Sequence, residues 1–373
     1  MKPKTTPRLT LPSKRFLIDV RFQLKLQSRE SNDGPGGHPD PVIRKFYRAV
    51  DKIISKKLFI EYRDLIVGVH QKRPGMNTTH FVNLWFRAIQ YILRKRREKD
   101  YVNYTVAGWK KYLNTTGRED ITSIRKILLS KNTATHVPVR YRSFNTALRL
   151  IVEHHPDIDL RIGDIGCSLG LGLKACLANG FLTRPPFTDN TPKQQVLNCF
   201  ARTITRCSRA VGIDIRIPTI DWVKACNYPS RYTSDATAID HAASKLTDIP
   251  FKVNIRQADI LDPKTIDILT VGKPLLAIYS SMSLYELPHQ DRLLAYRHIA
   301  SALCQGGVFI EFTFCNPDNW FKGIHTVVRV NHSGKLSSPL IWHLWKDSRC
   351  SAVRPGKDYR RVNLLLAKIG NKI

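Results

Sequence analysis

The sequence predicts a doubly wound α/β domain with a mostly parallel sheet, preceded by a basic, mostly helical N-terminal domain. Three observations carry this expectation. Residues 161–173, RIGDIGCSLGLGL, read as a short buried strand (Ile162, Ile165), a glycine-rich turn (Gly166, Gly170, Gly172) and the start of a helix. Later strands at 210–215, 275–281 and 308–312 alternate with helical stretches; the first ends in Asp214 and the second turns polar at its C-terminal end, the side on which open parallel sheets bind ligands. Finally, the 373 residues hold 60 Lys and Arg against 30 Asp and Glu, and residues 1–150 alone carry 32 basic and 11 acidic residues. Most of the +30 charge therefore lies ahead of the glycine-rich turn, and a field of that size attracts polyanions.

Taken in order, residues 1–40 read as a basic arm. Within it Val20, Phe22, Leu24 and Leu26 alternate with Arg21, Gln23 and Lys25, which predicts a half-buried strand, and a Gly/Pro/Asn linker closes the arm at 31–37. Asp40 and Pro41 supply a cap and first turn for a helix whose apolar stripe is Ile43, Phe46, Tyr47, Val50, Ile53 and Ile54. A second helix is expected over 79–99, with Phe81, Leu84, Trp85, Ile89 and Ile92 inward. Its last turns hold Arg94, Lys95, Arg96, Arg97 and Lys99. One or two cations suit a helix C-terminus; five exceed that need and are candidates for RNA contact, against the blander reading of a solvated face. Tyr101, Tyr104, Trp109 and Tyr112, interleaved with Lys110 and Lys111, are read as core in preference to base-stacking platforms. Residues 41–142 are thus expected to form a substrate-recruiting domain.

Residues 143–373 are expected to form the second domain. A helix over 144–153 precedes the first strand. Asp164 and Asp214 lie 50 positions apart, about twice the usual spacing of a nucleotide-binding βαβ unit, so an insertion is placed near 181–209 with a helix over 194–206. A second decoration is placed near 221–250. The stretch 288–303 reads as a helix stopped by Gly306 and Gly307. Beyond the fifth strand the pattern suggests a helix over 319–326 and strands at 325–330, 341–345 and 361–368.

The strand ends, in this order, resemble the class I S-adenosylmethionine-dependent methyltransferases. Asp164, Gly166 and Gly170 fit that family's first motif, with Ser168 where the middle glycine is usual. Asp214 falls where the family's carboxylate takes the two ribose hydroxyls of the cofactor, and residues 257–260 resemble the motif that holds the adenine edge. The resemblance implies a seven-stranded sheet closed by an antiparallel last strand, and S-adenosyl-L-methionine as cofactor. It also implies a cofactor site drawn from Asp164, Gly166, Cys167, Ser168, Gly170, Asp214, Ile215, Asp259, Ile260, Ser280 and Ser281. Tyr285 and Glu286 are the candidates for contact with the methyl acceptor, since they follow the fourth strand; the alternative for Glu286 is a surface carboxylate at a helix start. Cys315-Asn316-Pro317 is similar to the Cys-Asn-Pro of RNA 5-methyluridine methyltransferases, but that family's proline-rich motif after strand four is missing. His289, His154 and His155 are read as structural.

RNA, ribosomal or transfer, is the expected substrate, on charge alone. The alternatives are a small-molecule or protein methyltransferase with an incidentally basic surface, and a non-catalytic RNA-binding protein with the same fold. No apolar run is long enough to cross a bilayer, no membrane partner is expected, and nothing resembles a secretion signal. All eight cysteines lie between Cys167 and Cys350 with no C-x-x-C pair, so no metal site is expected and reduced thiols in the cytoplasm are. Nothing in the sequence indicates an oligomeric state.

Overall fold

The computed structural model describes residues 11–30, 37–55, 60–178, 207–245, 252–314, 323–346, 348, 350 and 353–369. The chain divides into two compact units, Met1–Thr135 with Asp221–Ala236, and His136–Ile220 with Thr237–Ile373.

The first unit is helical: α1 (Leu11–Gln27), α2 (Pro41–Ile54), α3 (Ile60–Lys72), α4 (Thr78–Lys95), α5 (Val106–Asn114), α6 (Thr116–Glu119) and α7 (Ile121–Ser130). The strand expected around Val20 to Leu26 is instead part of α1. Phe16, Val20 and Leu24 recur every four residues and are buried, whereas Phe22 is 61% exposed, so the alternation arose from one solvent-facing aromatic. Asp40 caps α2, its Oδ1 accepting from the amides of Val42 at 2.9 Å and Ile43 at 3.2 Å. Its Oδ2 accepts from the amide and hydroxyl of Ser230, at 3.1 and 2.5 Å.

That second contact corrects the expectation of a decoration near 221–250 on the second domain. Residues 221–236, which include most of α10 (Ile220–Ala225) and the start of α11 (Tyr232–Lys245), belong to the first unit. Trp222 is buried there with its indole N–H on the Asn132 carbonyl at 2.8 Å, and Gln90 donates to the carbonyls of Ala225 and Asn227, both at 2.9 Å. The chain thus returns to its N-terminal unit to complete it.

The aromatics read as core are core. Trp109 is fully buried, with Phe46, Phe86, Tyr101, Tyr104 and Tyr112 around it at centroid distances of 5.2–6.2 Å. Trp109→Ala is expected to destabilise the protein by about 3–5 kcal/mol, the usual loss for a buried tryptophan; urea unfolding followed by circular dichroism checks it.

The second unit is built on a nine-stranded sheet: β1 (Arg161–Ile165), β2 (Arg209–Asp214), β3 (Val253–Gln257), β4 (Leu275–Ser281), β5 (Leu303–Phe314), β6 (Ile324–His332), β7 (Lys335–Leu336), β8 (Leu340–Trp345) and β9 (Val353–Pro355). The order is β3-β2-β1-β4-β5-β6-β8-β9, with β7 beside β6. β1 to β5 pair in parallel, and the strands after β5 are antiparallel. The fold class is the doubly wound one expected, with α8 (Arg142–His154), α9 (Leu171–Leu177), α12 (Thr265–Thr270), α13 (His289–Ala302) and α14 (Tyr359–Ala367) as its helices.

The antiparallel edge differs from expectation. The seven strands become nine, and the expected last strand at 361–368 is α14. Val362, Leu366 and Ile369 recur at helical spacing and are buried, while Leu364, which completed the apparent alternation, is 62% exposed. The sheet ends instead on β9, which pairs with β8. The end of the helix placed at 319–326 is strand, since β6 starts at Ile324. The insertion near 181–209 lies outside the described residues up to 206. No helix among the described residues is long and apolar enough to cross a membrane, and the six described cysteines are free thiols.

Candidate active site

Register brings the strand ends into line. Ile165 pairs with Ile213 and with Ser280, and Asp214 with Gln257. The residues that follow therefore emerge side by side where the strand order reverses between β1 and β4, the crevice in which open α/β sheets bind ligands.

The turn after β1 holds its shape through its own hydrogen bonds. The Ile213 carbonyl accepts from the amides of Gly166 at 2.8 Å and Cys167 at 3.1 Å, and the Gly170 amide donates to the Cys167 carbonyl at 2.8 Å. Gly166 and Gly170 have φ of +76° and +69°, and a Cβ on either would meet Ser283 at 2.5 Å or Ile255 at 2.3 Å, so no other residue fits. Ser168, with φ of 56°, adopts the left-handed conformation for which glycine is usual at that position. Its amide donates to Asp214 Oδ2 at 2.9 Å, while Asp214 Oδ1 accepts from the Arg216 amide at 3.1 Å. Asp214 thus latches the turn to the end of β2.

Asp164 is fully buried. Tyr141 Oη donates to its Oδ2 at 2.8 Å, and Oδ1 is buried with no partner among the described residues. Burial pushes this carboxyl up to about 7; the Tyr141 bond opposes the rise and the charge of Asp214 adds to it. Asp214 is raised too, first by burial, with the amides of Arg216 and Ser168 holding it down and the Glu286 carboxylate pushing it up. Glu286 is therefore within electrostatic reach of the crevice.

The segment after β4 is tied to β1. Ser283 Oγ donates to the Ile165 carbonyl at 3.0 Å and accepts from the buried Ser280 at 2.6 Å. Beyond it Tyr285 Oη donates to Glu286 Oε1 at 3.1 Å, and the Tyr285 ring meets Phe314 edge-on at 5.1 Å. Burial drives the Tyr285 phenol far above its usual range, so it remains a hydrogen-bond donor.

Two of the expected cofactor residues have buried side chains. The Cys167 thiol is buried under the turn against Gly212, where a Cβ would lie 2.7 Å from Sγ, and burial raises it well above the usual thiol range. Ile260 is 7% exposed within a cluster that includes Ile165 and Val211, and its carbonyl is paired with His298 Nδ1 at 2.7 Å. Ile215, by contrast, is 49% exposed directly after Asp214. Asp259 Oδ1 accepts from the Leu261 amide at 3.0 Å, which fixes the turn after β3. Ser281 ends β4 beside Phe312. Cys315 lies outside the described residues.

Tyr141 and Ser283 were not singled out by sequence, yet one orients Asp164 and the other underlies Gly166. The signal for Tyr141 was the third glycine: a Cβ on Gly172 would lie 2.0 Å from the Tyr141 ring. Among the described residues no group of three or more His, Cys, Asp and Glu is placed to hold a metal ion.

No family model and no curated protein matches this sequence. Solved structures similar to it include an O-methyltransferase family protein from Burkholderia thailandensis at 12% identity and a TM-score of 0.27, covering 55% of this chain and 43% of that one. This chain thus spans less than half the length of that protein. An rRNA methyltransferase from Streptomyces viridochromogenes is similar at 18% identity and a TM-score of 0.30, covering 48% and 74%. Magnesium protoporphyrin IX methyltransferase from Synechocystis, solved with bound S-adenosylmethionine, is similar at 13% identity and a TM-score of 0.25, covering 55% and 74%.

Proposed function

We propose that this chain is an S-adenosylmethionine-dependent methyltransferase acting on RNA, ribosomal or transfer. The observation that carries the first half is Asp164, a buried carboxylate with one oxygen held by Tyr141 and the other unpaired among the described residues, at the switch point of a parallel sheet. An unpaired buried acceptor is costly unless a ligand supplies the donor, and the ammonium of an amino-acid ligand suits it. The cofactor fits the remaining residues: Asp214 for the ribose hydroxyls, the exposed Ile215 and the turn at Asp259 for the adenine, and the Gly166–Gly170 turn and Ser280–Ser281 along the methionine part.

When bound, S-adenosylmethionine supplies a methyl group already activated on a sulfonium. The chain's own task is then to position and desolvate the acceptor. Tyr285 holds Glu286 through its hydroxyl, and the Glu286 carboxylate orients an acceptor amine or hydroxyl, or takes its proton.

The RNA half is supported by the charge of the first 150 residues. Four of the five cations near the end of α4 divide. Arg96 is spent on a two-point pair with Asp120, one arm at 2.8 Å, and Lys95 lies 4.9 Å over the Tyr91 ring. The side chains of Arg97 and Lys99 make no hydrogen bond or ion pair among the described residues, so they are the better candidates for phosphate contact.

Incubating the protein with methyl-labelled S-adenosylmethionine and a cell extract tests both halves. Label released by ribonuclease and resistant to protease is the expected result. Label that survives ribonuclease would remove RNA as the substrate, and no transfer into any fraction would remove the enzyme reading.

A further inference from the structure

A second cavity lies in the second unit, between α13 and the β5–β6–β7 part of the sheet, with a volume of about 600 Å³. That is within the range of small-ligand sites. Its wall carries four cationic side chains from three elements: Arg292 and Arg297 on α13, Arg329 on β6 and Lys335 on β7. Tyr296, Phe314 and Leu336 form apolar parts of the same wall.

The charges are not balanced from within. Glu311 is the carboxylate in the lining; it is buried and accepts from Tyr296 Oη at 3.0 Å. Arg292, Arg297, Arg329 and Lys335 form no ion pair among the described residues. Arg329 packs 4.8 Å over the Tyr296 ring and gives one long bond of 3.3 Å to the Ser337 carbonyl, while its Nε is buried with no partner among the described residues. A guanidinium pinned in place with a buried donor unused is a group prepared for an anion.

We infer that this cavity binds a nucleotide unit, with the phosphate taken by Arg329, Arg297 and Lys335 and the apolar body of the nucleotide against Tyr296, Phe314 and Leu336. Four cations exceed what one carboxylate would balance, whereas a phosphate ester carries up to two negative charges and matches the forked donors of arginine. The apolar wall gives a planar base a place that inorganic phosphate would leave empty. The nucleotide is either free or one residue of an RNA strand, and the site stands whether or not the crevice at β1 transfers methyl groups.

The test uses the full chain and titrates uridine 5′-monophosphate, uridine, inorganic phosphate and a hexamer of uridylate, followed by calorimetry. Arg297 and Lys335 are exposed, so Arg297→Glu with Lys335→Glu is expected to fold as the parent does, with an unchanged melting temperature as the check. Uridine monophosphate is expected to bind at least about tenfold more tightly than uridine or phosphate, and the double variant to lose about tenfold or more. Hexamer binding that far exceeds monophosphate binding and falls in the variant identifies an RNA strand as the source; equal binding identifies the free nucleotide. Binding of both probes unchanged in a folded double variant, or no binding of either at millimolar concentration, would overturn the proposal.

Discussion

Asp164→Asn is expected to weaken S-adenosylmethionine binding by about tenfold or more and to flatten two pH dependences together. A buried carboxylate that accepts a charge-assisted hydrogen bond is worth roughly 1.5–3 kcal/mol to its partner, and the amide keeps the shape without the charge. The sign of the pH effects follows from the direction of the shift. Burial holds this carboxyl at about 7 in the fold against 3.8 in the unfolded chain, so the folded protein binds the proton more tightly. Stability of the ligand-free protein is therefore greatest below about 4 on this account and falls as pH rises to about 7, by about 4 kcal/mol in all, then stays level. Asp164→Asn removes that fall. Cofactor affinity runs the other way, because a cationic ligand selects the ionised carboxylate: it climbs as pH rises toward about 7 in the parent and stays flat in the variant. Urea melts and calorimetric titrations at pH 5, 6 and 7 separate the two effects. Equal affinity and equal slopes in both proteins would show that Asp164 faces no ligand.

How much of this was legible in sequence differs by region. The crevice was readable because the strand before Gly166 is short and followed by closely spaced glycines, and because the apolar run of β2 stops at Asp214. The edges of the chain were not, and for one reason in two places. At Val20–Leu26 and again at Val362–Leu366, apolar residues at every second position mimicked a strand because a single exposed side chain, Phe22 or Leu364, filled in a helical stripe. Exposed apolar residues are common, and nothing in the sequence marks which one faces water. The return of residues 221–236 to the first unit was hidden for another reason. Its contacts with Asp40, Gln90 and Asn132 join residues 90 to 190 positions apart, and the donors and acceptors are partly main chain, which leaves no pattern in the side chains. Tyr141 was visible only as an aromatic between two arginines; that it holds the crevice acid depends on the packing of α9, not on its neighbours in sequence.

That packing makes Gly172→Ala the other substitution with a large expected effect. In an ordinary helix the change from glycine to alanine stabilises by about 0.5–1 kcal/mol, since the unfolded chain loses freedom. Gly68 in α3 is such a position, with nothing within 4 Å of an added Cβ, and Gly68→Ala is expected to show that gain. At Gly172, near the start of α9, the sign reverses. The added Cβ would lie 2.0 Å from Tyr141 Cε2 and 2.3 Å from Cζ. The ring has little room to yield, because its hydroxyl is bonded to Asp164 at 2.8 Å and its face packs on Tyr279 at a centroid distance of 4.8 Å. Displacing it costs about 1–3 kcal/mol in overpacking, and breaking its bond to Asp164 leaves a second buried oxygen unpaired for about 1–3 kcal/mol more. The net loss is expected to be about 3 kcal/mol, with cofactor binding weakened in the protein that remains folded. Pairing Gly172→Ala with Tyr141→Ala tests the cause: if the clash is the source, the double variant is less destabilised than the sum of the singles, because the truncated side chain makes room for the Cβ. Strict additivity, or a Gly172→Ala as mild as Gly68→Ala, would show that Tyr141 is not clasped between α9 and the crevice acid.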